Sequence, residues 1–196
     1  VHGGGFYHVQ KYAVAPEALP DDLHWFKYEA YFTWLSGFAL LIVLYYFGAN
    51  TYLIDSTRAD LTPTMAIGIS VAFLIGSWGL YEALCRSPIG RSTTVLASSV
   101  LVLILVSAFL LTQIFSDRAA FLHVGALIGT IMSANVFVVI IPNQKKVVAD
   151  LLEKKLPDPS LGAQARQRSL HNNYLTLPVL LLMVSAHYPL LFSGGA

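Results

Sequence analysis

The chain has 196 residues, of which 56% are hydrophobic and only 12% are charged, and its mean hydropathy is +0.62. Soluble globular domains carry about 25% charged residues, so this composition is typical of a membrane protein. The net charge of +1 says little about partners, and nothing in the sequence supports nucleic-acid binding. A single cysteine, Cys85, excludes an internal disulfide, a cysteine-rich metal site and a Cys-x-x-Cys-His haem attachment. Because no initiator methionine or signal peptide precedes Val1, we expect the chain to be a segment of a longer protein.

Five apolar segments are long enough to cross a bilayer, which takes about 20 helical residues. We predict membrane spans at residues 28–47, 63–84, 94–115, 119–141 and 171–192. Aromatic residues bound the first span, Pro63 begins the second and Pro142 closes the fourth. The predicted fold class is therefore all-α: a polytopic transmembrane helix bundle that forms a single membrane domain.

The connection at 143–170 predicts a further helix, and the distribution of basic residues predicts how the chain is oriented in the membrane. Apolar and basic residues alternate at helical spacing within this connection, which predicts a helix lying on the membrane surface. All but two of the 12 Lys and Arg residues precede the first span or lie in the connections after the second and fourth spans; Arg58 and Arg118 are the exceptions. The positive-inside rule then places the more basic face in the cytoplasm.

With this topology two histidines lie in the outer part of the membrane, His123 on the fourth span and His187 on the fifth. Ionisable residues inside a bilayer are costly and usually functional, and histidine is a common axial ligand of haem. We therefore predict that both bind the iron of a haem b; the alternative is that each donates a hydrogen bond to a neighbouring helix. Gly125, Gly129 and Ser133 form a stripe that predicts close helix packing, so we expect protein on both sides of this span and a buried His123.

The inner layer is richer in hydrogen-bonding groups. Its predicted site residues are His2, Gln10, Lys11, His24, His171, Asn172 and Asn173, and His8, Glu29, Glu82 and Tyr174 lie in the same layer. Amides together with a cation suit a planar, anionic heterocycle that presents N–H and C=O edges, so we predict a binding site formed by Gln10, Lys11, Asn172 and Asn173. Two alternatives stay open: the asparagines cap a helix, and Lys11 is an interfacial anchor.

Seven long motifs are distributed over the chain. They are HGGGFYHVQKY at 2–12, LHWFKYEAY at 23–31, TWLSGF at 33–38, CRSP at 85–88, FLHVGA at 121–126, IIPNQKKVVAD at 140–150 and RSLHNNYLTLP at 168–178. In these motifs, and over essentially all of its length, the chain resembles the integral-membrane urate oxidases of bacteria.

The resemblance implies an enzyme of the bacterial inner membrane that oxidises urate to 5-hydroxyisourate and passes the electrons to a cytochrome c domain or a soluble cytochrome c. In that family one helix comes before these residues, and further spans and a domain with haem c come after them. Urate would bind in the inner layer, where His2, His24 or His171 would accept a proton. Electrons would move outward through haem b at His123 or His187, and membrane lipid would be a further partner.

Two other functions stay open on the sequence. A non-enzymatic b-type cytochrome subunit, passing electrons from quinol to a periplasmic acceptor, shares the outer histidines but does not need the amide-rich inner layer. A purine transporter needs no haem.

Overall fold

The computed structural model describes residues 27–185 together with His187 and Tyr188. This part of the chain is helical and contains no strand, which confirms the predicted all-α fold class. Its α-helices are α1 (Lys27–Leu41), α2 (Pro63–Arg86), α3 (Thr93–Ile114), α4 (Asp117–Ala134), α5 (Ile141–Leu152) and α6 (Pro159–Ser185). Wider π-helical turns follow α1 (Ile42–Tyr46 and Ala49–Leu53) and join α4 to α5 (Asn135–Ile140), and a short 3₁₀ turn (Pro88–Arg91) joins α2 to α3.

Capping side chains explain where three of these helices begin. The hydroxyl oxygens of Thr62, Ser92 and Ser116 each accept a hydrogen bond from the backbone N–H three residues later, at the start of α2, α3 and α4. Such caps satisfy N–H groups that have no partner inside the helix. Pro63 follows the cap of α2, in the first turn, where the absence of an N–H costs nothing.

Among the described residues, four helical segments are long and apolar enough to cross a membrane. They are Tyr28–Tyr46, Pro63–Arg86, Thr93–Ile114 and Asp117–Leu152. The fifth predicted span, 171–192, begins within α6, and its last residues lie outside the described part of the chain. On α3, one face carries large apolar side chains that are exposed, including Leu101, Leu105 and Phe109. An extended apolar surface of this kind is typical of a helix that faces lipid.

The fourth span differs from its prediction at its C-terminal end. The predicted span ends at residue 141, before Pro142, but the helix continues through this proline to Leu152. The π-helical turn before it makes this possible: the N–H of Ile141 bonds to the carbonyl of Val136, five residues back. The wider turn accommodates the proline ring, which an α-helix interior does not. The helix predicted in the connection is therefore α5, a direct continuation of the fourth span.

Helix α4 lies at the centre of the bundle and packs against α1, α2, α3 and α6. It buries residues on opposite sides: His123, Leu127 and Ile131 lie on one face, and the buried Gly125 lies on the other. His123 is 1% exposed. The predictions that this span contacts protein on both sides and buries His123 are therefore confirmed.

The small-residue stripe of α4 faces α6. A Cβ atom built on Gly125 would lie 3.2 Å from the Cβ of Leu182, and one built on Gly129 would lie 3.9 Å from Cγ2 of Val179. The predicted role of the stripe in close helix packing is confirmed at these two glycines. Their missing side chains allow α6 to approach α4, and the approach brings the polar residues of the two helices together.

We predict that Gly125→Leu destabilises the bundle by about 1–3 kcal/mol, because the larger side chain would overpack the contact with Leu182. Gly76→Leu on α2 is the matched control, since a Cβ there meets nothing within 4 Å. Thermal unfolding in detergent, followed by circular dichroism, compares the two variants with the unsubstituted protein. Equal losses in both variants would contradict the close approach of α4 and α6.

Arg58 lies in the loop 54–62 that precedes α2, and its side chain connects this loop to the turn between α3 and α4. Its guanidinium donates to the carbonyl oxygens of Thr112 (2.6 Å) and Phe115 (3.1 Å) and pairs with Asp117 (2.6 Å) and Asp55 (3.2 Å). A cation at this position satisfies the last carbonyl groups of α3. Hydrogen bonds from Thr57 hold the pKa of Asp55 below its ordinary value, with a smaller contribution from Arg58.

Candidate functional site

Polar side chains from three parts of the fold meet at the end of the bundle where α2 ends. We call them the Arg168 cluster: Tyr81, Glu82, Asn135, Arg168, His171 and Asn172. Helix α2 supplies the first two, the π-helical turn after α4 supplies Asn135, and α6 supplies the last three. The orientation predicted from the positive-inside rule would put this end of the bundle on the cytoplasmic side, in the predicted inner layer.

A chain of hydrogen bonds links the uncharged members of the cluster. The amide nitrogen of Asn135 donates to the hydroxyl of Tyr81 (3.0 Å) and to the amide oxygen of Asn172 (2.9 Å), whose own nitrogen donates to the carbonyl of Met132 (3.0 Å). The Tyr81 hydroxyl and Nδ1 of His171 are 2.7 Å apart. The hydroxyl oxygen has two lone pairs and can accept from both Asn135 and Nδ1; a neutral His171 that donates from Nδ1 has Nε2 free to accept a proton.

The charged members form a buried ion pair. Nη2 of Arg168 lies 2.8 Å from Glu82, whose other oxygen lies 2.6 Å from Nε of the exposed Arg86. Arg168 is only 4% exposed, and its guanidinium carbon lies 5.1 Å from the centre of the Tyr81 ring. Within the described part of the chain, its Nε and Nη1 have no hydrogen-bond partner, and neither does Oδ1 of Asn135. Unpaired buried polar groups are costly, so these atoms indicate a place where a ligand could bind.

A cavity of about 310 Å³ lies against the charged side of the cluster. Its lining residues are Glu82, Cys85, Arg86, Val139, Gln164, Gln167 and Arg168. The volume is at the lower end of the range for small-molecule sites, roughly 300–1,000 Å³. Two arginines and one glutamate line it, so its charge balance favours an anion over a cation.

A second polar group, the His123 cluster, consists of Tyr46, Ser70 and His123 and lies toward the other end of α2 and α4. The Tyr46 hydroxyl is 2.8 Å from Oγ of Ser70, which is 2.7 Å from Nε2 of His123. Nδ1 of His123 is 2.7 Å from the carbonyl of Ala119, so it must carry the proton and donate. Nε2 of a neutral His123 therefore accepts from Ser70, whose oxygen accepts from Tyr46.

The family model described as urate oxidase, N-terminal, matches residues 1–196. The chain belongs to the urate oxidase N-terminal family. This membership supports an oxidoreductase that acts on urate, and it confirms the resemblance of the sequence motifs at the level of the family. Neither a curated relative nor a solved structure matches the chain.

For this urate oxidase N-terminal chain, the contacts of His123 do not fit an axial ligand of haem. An imidazole binds iron through an unprotonated nitrogen. In His123 that nitrogen is Nε2, which accepts from Ser70, while Nδ1 bonds to a backbone carbonyl. His187 is exposed. The contacts of His123 agree with the alternative, a hydrogen bond to a neighbouring helix, and the haem b assignment stays a prediction. One cysteine is too few for the thioether bonds of haem c, so a c-type haem would belong to another domain or partner.

The structure brings three of the predicted inner-layer residues into the Arg168 cluster: Glu82, His171 and Asn172. Asn173 is exposed on α6 and does not join the Arg168 cluster. The remaining predicted site residues, His2, Gln10, Lys11 and His24, lie outside the described residues, as does His8. All of these functional assignments stay predictions.

Three residues of the cluster were not among the predicted inner-layer residues: Tyr81, Asn135 and Arg168. The sequence contained indications for two of them. Asn135 is the one amide in the predicted fourth span, and polar side chains inside a membrane are usually functional. Arg168 precedes His171 by three positions, which places both on one face of α6. No signal in the sequence distinguishes Tyr81 from the other tyrosines.

Proposed function

We propose that this chain is the membrane domain of a bacterial inner-membrane enzyme that oxidises urate to 5-hydroxyisourate and passes the electrons to a cytochrome c domain or a soluble cytochrome c. The family match over residues 1–196 carries the proposal. Two features of the structure support it: four helices that could cross a membrane, and a cavity whose lining suits a small anion.

The reaction defines what the site must do. Urate and one water molecule form 5-hydroxyisourate through a new C–O bond at C5, with release of two electrons and two protons. Each ferric cytochrome c takes one electron, so two are reduced per urate, and hydrogen peroxide is not a product. The protein must bind a planar anion, admit water and accept protons.

The Arg168 cluster has groups for these tasks. The cavity beside it can take up the planar ring, since Val139 offers an apolar wall and Gln164 and Gln167 offer amides. His171 is the imidazole of the cluster, and imidazole is the side chain that accepts and releases protons near neutral pH. Its hydrogen bond to Tyr81 fixes the orientation of the ring.

Urate-dependent reduction of cytochrome c by membranes that contain the full-length protein tests the proposal. We predict that Asn172→Ala lowers this activity at least about tenfold, because it removes the hydrogen bonds that hold α6 against Asn135 and Met132. Ser169→Ala, at an exposed position on the same helix, is the control and should retain activity.

Two outcomes would count against the proposal. If the unsubstituted protein takes up urate into vesicles but never reduces cytochrome c, the chain is a transporter and the oxidation is wrong. If Asn172→Ala is as active as Ser169→Ala, the reaction does not take place beside the Arg168 cluster.

A further inference from the structure

Arg168 combines deep burial with incomplete pairing. Its side chain is 4% exposed, yet within the described residues only Nη2 has a partner, the carboxylate of Glu82. The N–H groups on Nε and Nη1 are left without a hydrogen-bond acceptor. A guanidinium cannot lose its charge to reduce this cost, because arginine stays protonated in proteins. An acceptor that arrives with a ligand would satisfy these groups.

The two glutamines that line the same cavity each use one half of the side-chain amide in a hydrogen bond. The unused halves differ: one is an acceptor and the other is a donor. Gln167 donates its amide N–H to the carbonyl of Gly90 (2.8 Å), which leaves its oxygen as an acceptor. Gln164 accepts from Asn143 through its amide oxygen (3.4 Å), which leaves its NH₂ group as a donor. The cavity thus combines a cation, a hydrogen-bond donor and a hydrogen-bond acceptor with the apolar side chain of Val139.

This set of groups matches one class of ligand. An oxidised purine is flat, and its edges alternate C=O acceptors with N–H donors; as a monoanion it also carries delocalised negative charge. Guanidinium groups bind such planar, charged edges well, since their N–H groups lie in one plane. Resting on the proposed function, we propose that Arg168 binds the anionic edge of urate in this cavity and selects the urate anion over neutral purines.

The ion pair with Glu82 has a defined part in this arrangement. It holds the guanidinium in place and uses one of its nitrogens, while the N–H groups on Nε and Nη1 keep their donor capacity unused among the described residues. Arg86 binds the other oxygen of Glu82 and offsets its charge. The cavity therefore keeps a net positive lining even though a carboxylate is part of it.

Binding of radiolabelled urate to the full-length protein in detergent, by equilibrium dialysis without an electron acceptor, tests the inference. We predict that Arg168→Gln weakens urate binding about 10- to 100-fold, as expected for the loss of charge-assisted hydrogen bonds. Arg166→Gln, an exposed position on the same helix, should bind urate normally. Hypoxanthine, a neutral purine, should compete weakly with urate in the unsubstituted protein and relatively better in Arg168→Gln.

A second variant keeps the test valid if Arg168→Gln alone folds poorly. The double variant Glu82→Gln with Arg168→Gln removes both charges of the pair, so no unpaired carboxylate is left behind. It should lose urate binding to the same extent. Normal urate affinity in a folded variant that lacks Arg168 would overturn the inference.

Parallel assays of cytochrome c reduction separate the two proposals. If the unsubstituted protein reduces cytochrome c with urate while the Arg168 variants bind urate normally, the oxidation stands and the role of Arg168 is wrong. If urate binding depends on Arg168 but no cytochrome c is reduced, the binding site stands and the oxidation is wrong.

Discussion

Glu82→Ala is expected to lower the free energy of unfolding by about 3–5 kcal/mol, the largest effect on stability that we predict. The change leaves the guanidinium of Arg168 buried with no counter-ion, because Glu82 is the carboxylate that it contacts among the described residues. Unfolding in mixed micelles, titrated with a denaturing detergent and followed by circular dichroism, measures the loss.

An exposed ion pair of the same chain provides the control. Glu153 lies 2.6 Å from Lys155, and both side chains are more than half exposed. Glu153→Ala should therefore cost less than about 1 kcal/mol. The double variant Glu82→Gln with Arg168→Gln should recover much of the loss. Equal destabilisation by Glu82→Ala and Glu153→Ala would show that the pair with Arg168 is not a buried one.

His171→Ala is expected to lower kcat for urate oxidation by about 100- to 10,000-fold, the range over which a positioned general base contributes. The hydrogen bond between the Tyr81 hydroxyl and Nδ1 fixes the imidazole ring, so removal of the imidazole should affect the chemical step. Stopped-flow measurement of cytochrome c reduction at saturating urate gives kcat directly.

Two companion variants make the His171 result specific. Tyr81→Phe removes the hydroxyl and keeps the ring, so it should reduce kcat less than His171→Ala does. Tyr174→Ala, one turn along α6 with a side chain that is largely exposed, should leave kcat unchanged. A His171→Ala protein that folds normally and keeps more than about a tenth of the activity would contradict a role for this imidazole in proton transfer.

The features of the fold that depend on helical periodicity could be predicted from the sequence. Hydropathy located the four described spans, and the stripe containing Gly125 and Gly129 correctly indicated a helix contact and a buried His123. The continuation of the fourth span past Pro142 was not predictable in this way. It depends on a hydrogen bond from Ile141 to Val136, five residues back, and hydropathy does not report such a change of helix geometry.

The Arg168 cluster shows why the candidate site was only partly predictable. Its layer could be inferred, since membrane topology sets the depth of each residue, and His171 and Asn172 were placed in it. Its partners could not, because depth does not define which way a helix is rotated. Tyr81 and Asn135 meet only because α2 and the π-helical turn direct these side chains toward each other, although they are 54 residues apart in the sequence.

The two polar clusters share helix α2, where Ser70 and Tyr81 are about three turns apart, which is roughly 17 Å along the helix axis. Between them α4 contributes the buried apolar side chains of Val124, Leu127, Ile128 and Ile131, and the hydroxyl of Ser77 on α2 is a buried polar group at this level. In a bilayer this mostly apolar layer would limit proton leakage from one side to the other, because proton transfer needs a continuous chain of hydrogen-bonding groups. Protons released by urate oxidation beside Arg168 would then return to the side of the membrane from which urate binds.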